Sequence, residues 1–209
     1  MRRSYTVSES FIDYLKSLGC VLYLPLGEND YHDYIGGHDL VFTGSGSMSW
    51  DSNVGMTLLT APGSYPTDIA TLQSDTLKPE SFPTDECTTC ITFKRKSTNK
   101  YGDFFCMGRY NQNLYPNPDV NGTASMASWG DGVHNSGLTH SINGRTWFED
   151  GALYRQDSTS SQRPSQWVGY NWFINTVSGL RTNAQSYYAN IMIFNRVLTL
   201  DEYRKVSGY

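Results

Sequence analysis

The sequence predicts an all-β fold, an antiparallel two-sheet β-sandwich with short N- and C-terminal helices. The chain carries 15 Tyr, 9 Phe and 5 Trp, which favour strands, and 19 Gly and 8 Pro, which favour turns. Its 209 residues fit the length of roughly 200–250 residues at which sandwiches commonly form one domain. We therefore expect one domain over 1–209, with a helical extension at 1–19, the sandwich at 20–198 and a terminal helix at 199–209.

The first predicted element is a short amphipathic helix. Ser8 can cap its N-terminus and Gly19 can end it. Its apolar residues fall on one broad face: Phe11, Ile12, Tyr14, Leu15 and Leu18. A strand-length apolar run over 20–26 follows, and the turn-forming residues 27–30 close it.

Several short strands are expected in the next part of the chain. Residues 39–43 read as a strand, and shorter ones surround Trp50 and residues 56–59. Residues 61–86 carry several Pro, Ser, Thr and Asp, so we expect a long surface connection with little regular structure. Strand character returns at Thr89.

The second half of the chain contains a hairpin and further strands. Residues 101–108 form an apolar run bounded by glycines, and 126–129 and 138–141 flank a Gly-rich loop. In residues 146–154, two strand halves flank Asp150-Gly151, a pair that tolerates the positive φ angles of a tight turn.

The closing part of the chain combines a strand with a helix. Residues 187–198 are largely apolar and strand-like. Thr199 and Glu202 have the spacing of a capping box, in which each side chain bonds the other residue's backbone N–H. A short helix is therefore expected to begin there.

These segments, in this order, resemble the laminin-G-like jelly-roll family of the concanavalin A-like lectin and glucanase superfamily. The resemblance is carried by Val21 to Leu26, Gly36 to Leu40, Trp147 to Tyr154 and, most specifically, Ile191 to Glu202. Residues 60–86 depart from the pattern. The resemblance implies a pair of curved antiparallel sheets, and members commonly bind glycans or proteins, sometimes through calcium. It does not fix the function, because the fold also hosts glycoside hydrolases.

Charge and hydropathy exclude two classes of partner. The formal net charge is -4 and the Lys and Arg residues are scattered, so no basic surface for nucleic acid is expected. No apolar run approaches the ~20 residues that span a bilayer, so we expect no membrane insertion. Met1 to Tyr5 lead into a polar stretch instead of an apolar signal core. Two origins stay open: cytoplasmic synthesis with virion assembly, or an extracellular domain lacking its signal.

Neither metal chemistry at the cysteines nor catalysis is predicted. Cys87 and Cys90 form a CxxC pair, but it runs into a strand-like stretch and lacks a second ligand pair at matching spacing. Free thiols or one incidental disulfide are expected. A glycosidase needs two carboxyl groups held about 5 to 10 Å apart. Glu149 and Asp150 are adjacent, so in a strand they would point to opposite faces, and the turn explains Asp150 better.

Two aromatic and polar clusters are candidates for ligand binding. Saccharide recognition uses an aromatic ring against the apolar face of the sugar, with nearby polar groups bonding its hydroxyls. The candidate residues are Trp129, Asp131, His134 and Asn135 in one cluster and Tyr170, Asn171 and Trp172 in the other. Aromatic residues also fill sandwich cores, which is the alternative explanation.

Calcium is the metal to consider, although no cofactor is expected to be required. Asp103, Asp131 and Asn135 could supply oxygen ligands in a loop, but their spacing alone does not establish a site.

Two function classes remain open after these exclusions. The first is a non-catalytic recognition module, lectin-like or adhesin-like, that binds glycan. The alternative is a structural or decoration subunit of a phage virion or surface appendage that works through protein–protein contacts. Its partners would be glycan or protein, and a homo-oligomer is compatible with either class.

Overall fold

A computed structural model describes residues 7–38, 41–43, 46–60, 71–74, 76–77, 79–95, 105–107, 132–158, 164–166, 172–174 and 185–209. The helices are α1 (Glu9–Ser17) and α2 (Leu200–Ser207). The strands are β1 (Cys20–Leu24), β2 (Val41–Thr43), β3 (Ser47–Asp51), β4 (Met56–Thr60), β5 (Thr71–Ser74), β6 (Cys87–Arg95), β7 (Phe105–Met107), β8 (Val133–Ser141), β9 (Gly144–Glu149), β10 (Ala152–Asp157), β11 (Trp172–Ile174) and β12 (Gln185–Phe194). Short 3-10 turns occupy Leu26–Glu28, Pro79–Ser81 and Pro164–Gln166.

The strands form two antiparallel sheets. The large sheet has the order β10-β9-β8-β6-β12-β4-β3, with β1 paired to the second half of β12. The small sheet has the order β2-β5-β11-β7. Every pairing in both sheets is antiparallel. This confirms the predicted all-β sandwich with two short helices.

Each face of the large sheet packs against a different layer. We call the face toward the small sheet the inner face, where Phe42 of β2 packs against a core that includes Leu24, Phe93, Trp147 and Ile191. The opposite, outer face carries both helices. Its core includes Ile12, Leu15, Tyr23, Cys90, Met192, Tyr203 and Val206. Because successive side chains of a strand alternate between faces, the large sheet is buried on both sides.

Local sequence determines where both helices begin. Ser8 caps α1 by accepting a hydrogen bond from the Phe11 N–H at 3.2 Å. At α2, the Thr199 N–H donates to Glu202 Oε2 at 2.8 Å and the Glu202 N–H donates to Thr199 Oγ1 at 3.3 Å. The capping box is therefore confirmed.

The predicted hairpin is also confirmed. Asp150 and Gly151 join β9 to β10 with φ angles of 46° and 82°. Two consecutive positive φ angles suit the two-residue turns that match the twist of paired strands.

Two predictions on the strands need correction. Residues 61–86 do not form only a surface connection, because β5 lies within this range and Leu77 and Phe82 are buried in the inner core. The first strand ends at Leu24 instead of residue 26, since Pro25 lacks an N–H and a 3-10 turn follows. The described part of the predicted strand 101–108 is β7, Phe105–Met107, and the rest of that range lies outside the described residues. The predicted strand at 126–129 lies outside the described residues.

Cys20, Cys87 and Cys90 are buried free thiols. Cys87 lies in the inner core and Cys90 in the outer core, because residues three apart in a strand point to opposite faces. They therefore cannot bind one metal ion together. In the described part of the chain, no helix is both long and apolar enough to span a membrane.

Candidate functional site

The structure places two predicted site residues, His134 and Asn135, at the start of β8, beside the β9–β10 turn. Asp150 of that turn contacts both of them. Its Oδ2 lies 2.8 Å from His134 Nδ1, and its Oδ1 accepts the Asn135 backbone N–H at 2.8 Å. The hydroxyl of Tyr209 also donates to Asp150 Oδ1, at 3.1 Å. The carboxylate of Asp150 therefore fixes the turn against β8.

Asn135 is 7% exposed and its polar atoms bond within the protein. Its Oδ1 accepts from the Thr92 hydroxyl at 2.6 Å, and its Nδ2 donates to the Tyr209 hydroxyl at 3.4 Å. Its backbone carbonyl accepts from the Tyr203 hydroxyl at 2.8 Å. A glycan or calcium ion could reach Asn135 only by replacing these bonds, while the ring of His134 is more accessible.

Glu149 and Asp150, the two acidic residues at the β9–β10 turn, lie in different environments. Partial burial and the neighbouring charge of Asp150 raise the pKa of Glu149, and His134 acts in the opposite direction. Asp150, in contrast, accepts hydrogen bonds from two neighbours and contacts the His134 ring. Asp150 therefore holds the turn through hydrogen bonds, whereas Glu149 is a partly buried acid at the end of β9. The sequence predicts this difference, because adjacent residues of a strand point to opposite faces.

The remaining predicted site residues fall largely outside the described part of the chain. Trp129, Asp131, Tyr170, Asn171 and Asp103 lie outside it. Trp172 belongs to β11, where its backbone pairs with Ser74 and Met107. Within the described ranges, no group of three or more His, Cys, Asp or Glu residues could hold a metal ion. Both the calcium ligands and the second cluster therefore stay predictions.

A second surface, which the sequence analysis missed, begins at the loop after β1. Asp33 is 2% exposed and anchors this loop from within. Its carboxylate accepts four backbone N–H groups, from Tyr23 at 2.9 Å, Ile35 at 3.0 Å, Gly36 at 3.1 Å and His38 at 2.9 Å. So many bonds to a buried carboxylate hold the loop in one conformation.

The anchored loop lies next to an exposed tryptophan of β3. Trp50 is 38% exposed, and its indole N–H donates to the Gly27 carbonyl at 3.4 Å. Thr57 of β4 is the cross-strand partner of Trp50, and its Oγ1 lies 3.5 Å from the Tyr31 hydroxyl. The Tyr31 hydroxyl in turn donates to Asn29 Oδ1 at 3.1 Å. We call Trp50, Tyr31 and Asn29 the Trp50 surface. It combines a fixed, partly exposed ring with a hydroxyl and an amide.

The same loop carries a further exposed ring. The Tyr34 hydroxyl donates to the Asp30 carboxylate, and this bond raises the pKa of Tyr34. The His32 ring lies edge-on to Tyr34, with centroids 5.1 Å apart. The loop therefore presents aromatic and polar groups together.

The comparisons with known proteins support the fold. No protein-family profile matches the chain, and no curated protein matches it in sequence. Solved structures do match. The binding domain of botulinum neurotoxin DC in complex with rat synaptotagmin II has a TM-score of 0.62 at 11% identity, over 91% of this chain and 51% of that chain. The botulinum neurotoxin serotype C1 binding domain has a TM-score of 0.63 at 9% identity, over 92% and 53%.

A third structure concerns botulinum neurotoxin type C. It is described by the finding that cell entry of this toxin depends upon interaction with two ganglioside molecules. Its TM-score is 0.59 at 11% identity, over 95% of this chain and 53% of that one. The chain shares its fold with these domains. It spans about half the length of each, and at such low identity the likeness concerns the fold alone. The laminin-G-like resemblance stays a prediction.

Proposed function

We propose that this chain is a non-catalytic recognition module that binds carbohydrate. The Trp50 surface is the observation that carries the proposal. A sugar ring offers an apolar face that stacks on indole, and its hydroxyls bond to amides and hydroxyls placed beside that ring. Tyr31 and Asn29 supply the polar groups on a loop that Asp33 already holds in place, and Trp50 supplies the ring from the adjacent strand β3. Such order lowers the entropy lost on binding.

The structures that share this fold support a binding role. Two of them are described as binding domains, and the third is described through the interaction of botulinum neurotoxin type C with ganglioside molecules. Gangliosides carry saccharide, so this fold is compatible with carbohydrate recognition. The predicted clusters around Trp129 and Trp172 would be additional contacts in the same function.

The test is a glycan array followed by calorimetric titration of the saccharides that bind. We expect Trp50→Ala to weaken binding tenfold or more, about 1.4 kcal/mol, because the stacking surface is lost. Tyr154→Ala is the matched control, since Tyr154 is 56% exposed but lies on β10, at the other end of the large sheet. Trp129→Ala and Trp172→Ala test the predicted clusters in the same assay.

Circular dichroism and thermal unfolding show whether each variant remains folded. Absence of saccharide binding by the folded wild-type chain contradicts the proposal, as does equal binding by the wild type and all three tryptophan variants. In that case, a defined homo-oligomer in light scattering supports the alternative, a structural subunit of a virion or surface appendage.

A further inference from the structure

The loop that carries the polar groups of the Trp50 surface is acidic. Glu28 and Asp30 stand on either side of Asn29, which belongs to that surface. Gly27, whose carbonyl accepts the indole N–H of Trp50 at 3.4 Å, directly precedes Glu28. Both acidic residues are therefore part of the short segment that the indole contacts.

The two carboxylates differ in how many hydrogen bonds they accept from the chain. Asp30 accepts the His32 backbone N–H at 2.9 Å and also accepts the Tyr34 hydroxyl. Glu28 is exposed, and no residue of the described ranges donates a hydrogen bond to its carboxylate. An ionised carboxylate has several acceptor positions and no donor. Hydroxyls of a bound sugar can therefore donate to Glu28.

No Lys or Arg in the described elements around this loop offsets these negative charges. The sequence contains neither residue between Lys16 and Lys78, a stretch that includes the loop and all of β1 to β5. The 3-10 turn Leu26–Glu28 packs against β4 and β12, and β12 also lacks Lys and Arg. The described Lys and Arg residues lie in α1, α2, β6, β9, β10 and the segment that joins β12 to α2.

Charge of a single sign at a binding surface discriminates between ligands. A carboxylate or sulfate on the sugar would meet no ammonium or guanidinium partner at this surface, and like charges weaken binding. The repulsion does not require contact, because charges act over a Debye length of about 8 Å at physiological salt. A neutral sugar meets no such repulsion, and its hydroxyls can donate to the same carboxylates.

We propose that the Trp50 surface selects a neutral glycan, a saccharide without carboxylate or sulfate groups. This inference rests on the proposed carbohydrate-binding function and adds the class of sugar. Trp50 supplies the ring on which the sugar stacks, and Glu28 accepts hydrogen bonds from the sugar hydroxyls. The charges of Glu28 and Asp30 together exclude acidic sugars from this surface.

The test compares saccharides that differ only at C6. The probes are cellotetraose with its C6-oxidised form, and tetragalacturonate with its carboxyl-reduced form. They are titrated at pH 8, above the ordinary titration range of histidine. We expect the neutral member of at least one pair to bind about tenfold more tightly, since each carboxylate of the loop contributes about threefold at such distances in water. High salt should reduce this preference.

The glycan array gives the same comparison over a wider set of sugars. Glycans that the wild-type chain binds and that Trp50→Ala no longer binds should be neutral. An acidic glycan among them would contradict the proposal unless its neutral counterpart binds more tightly in the titration.

Variants of Glu28 test the source of the preference. Glu28→Gln removes one charge, keeps the size of the side chain and loses no hydrogen bond from a described residue. It should lower the preference for the neutral form about threefold, and Glu28→Lys should lower it further, because the new charge attracts the acid. Glu9→Gln is the matched control, since Glu9 is exposed on α1, at the outer face. It should keep the full preference, and circular dichroism shows that each variant is folded.

Two results overturn this inference and leave carbohydrate binding intact. One is binding of an acidic glycan that depends on Trp50 and is as tight as that of its neutral counterpart. The other is a preference for the neutral form that Glu28→Gln and Glu28→Lys both leave unchanged. If the wild-type chain binds no saccharide at all, the proposed function fails, and this inference fails with it.

Discussion

Glu202 joins the end of β12 to the start of α2. Its carboxylate accepts the Thr199 backbone N–H and pairs with Arg196 in a bidentate ion pair, with N–O distances of 3.0 and 3.2 Å. Burial alone would raise the pKa of Glu202. The bonds from Thr199 and Arg196 outweigh burial and hold the pKa below its ordinary value of 4.5.

The lowered pKa of Glu202 predicts a pH-dependent contribution to stability. The unfolded chain binds the proton more tightly, so the carboxylate stabilises the fold above the unfolded pKa, and this contribution is lost as pH falls through the folded pKa. We expect Glu202→Gln to lower the free energy of unfolding by about 1 kcal/mol at pH 7, since the bonds are partly exposed. Urea unfolding from pH 7 down to pH 3 measures this difference, which should shrink below pH 4.5.

Asp201→Asn provides the control for Glu202. Asp201 is adjacent and exposed, and its carboxylate lies 3.4 Å from Arg204. Its effect should be smaller at every pH. A Glu202→Gln effect that stays constant with pH would contradict the assigned role of the carboxylate.

At the scale of single residues, the sequence predicts contacts that are local and misses those that depend on the fold. The Thr199–Glu202 cap follows from a spacing of three residues. Asp33 receives N–H groups from its own loop and from β1, and no local pattern indicates that bond to Tyr23. His134 and Asn135 were expected in a loop site, but pairing with β6 extends β8 back through them.

Among the elements, α2 lies close to β8 because β8 has a glycine at the contact. A Cβ atom on Gly137 would lie 2.7 Å from Tyr203 Cδ2 and 3.2 Å from Phe148 Cδ2. Tyr203 and Phe148 stack with centroids 4.9 Å apart. The missing side chain therefore provides the space that the ring pair occupies.

Substitution of this glycine should separate the helix from the sheet. We expect Gly137→Ala to lower the free energy of unfolding by about 1–3 kcal/mol, the usual cost of overpacking a core. Gly132→Ala is the matched control, since its added Cβ would lie 3.7 Å from His134, an ordinary contact. Urea unfolding of both variants measures the effect. Equal stability of the two variants would contradict the proposed close packing.

Elements whose pattern is local were predicted best. The β9–β10 hairpin follows from Asp150-Gly151, and α1 and α2 follow from their caps and apolar faces. β5 was missed because its segment is rich in Thr, Ser and Asp and shows no strong alternation. Pairing with β2 and β11 determines its conformation instead.

At the scale of the whole molecule, the buried thiols of Cys20, Cys87 and Cys90 can show whether the two cores unfold together. Cys87 belongs to the inner core, and Cys20 and Cys90 belong to the outer core. Burial raises the pKa of all three, to about 12 for Cys20. Thiolate is the reactive form, so the folded chain should protect these cysteines from alkylation at neutral pH.

Pulsed alkylation with iodoacetamide across a urea series, with peptide mapping of Cys20, Cys87 and Cys90, tests this protection. We expect no labelling in native buffer and one common urea midpoint for the three, because both cores share the large sheet. Circular dichroism supplies the reference midpoint. A thiol labelled in native buffer, or a lower midpoint for the two outer-core cysteines, would show that the layers open separately.

The position of β12 in the large sheet has a consequence for how the chain is made. Residues 185–194 bond to β1, β4 and β6, which come from residues 20–24, 56–60 and 87–95. During ribosomal synthesis these three strands are made before β12. Until β12 follows, the edge of each strand that pairs with β12 stays unpaired and exposed. Completion of the large sheet is therefore a late event, and the high sequence separation of the pairs that β12 makes predicts slow acquisition of the native state.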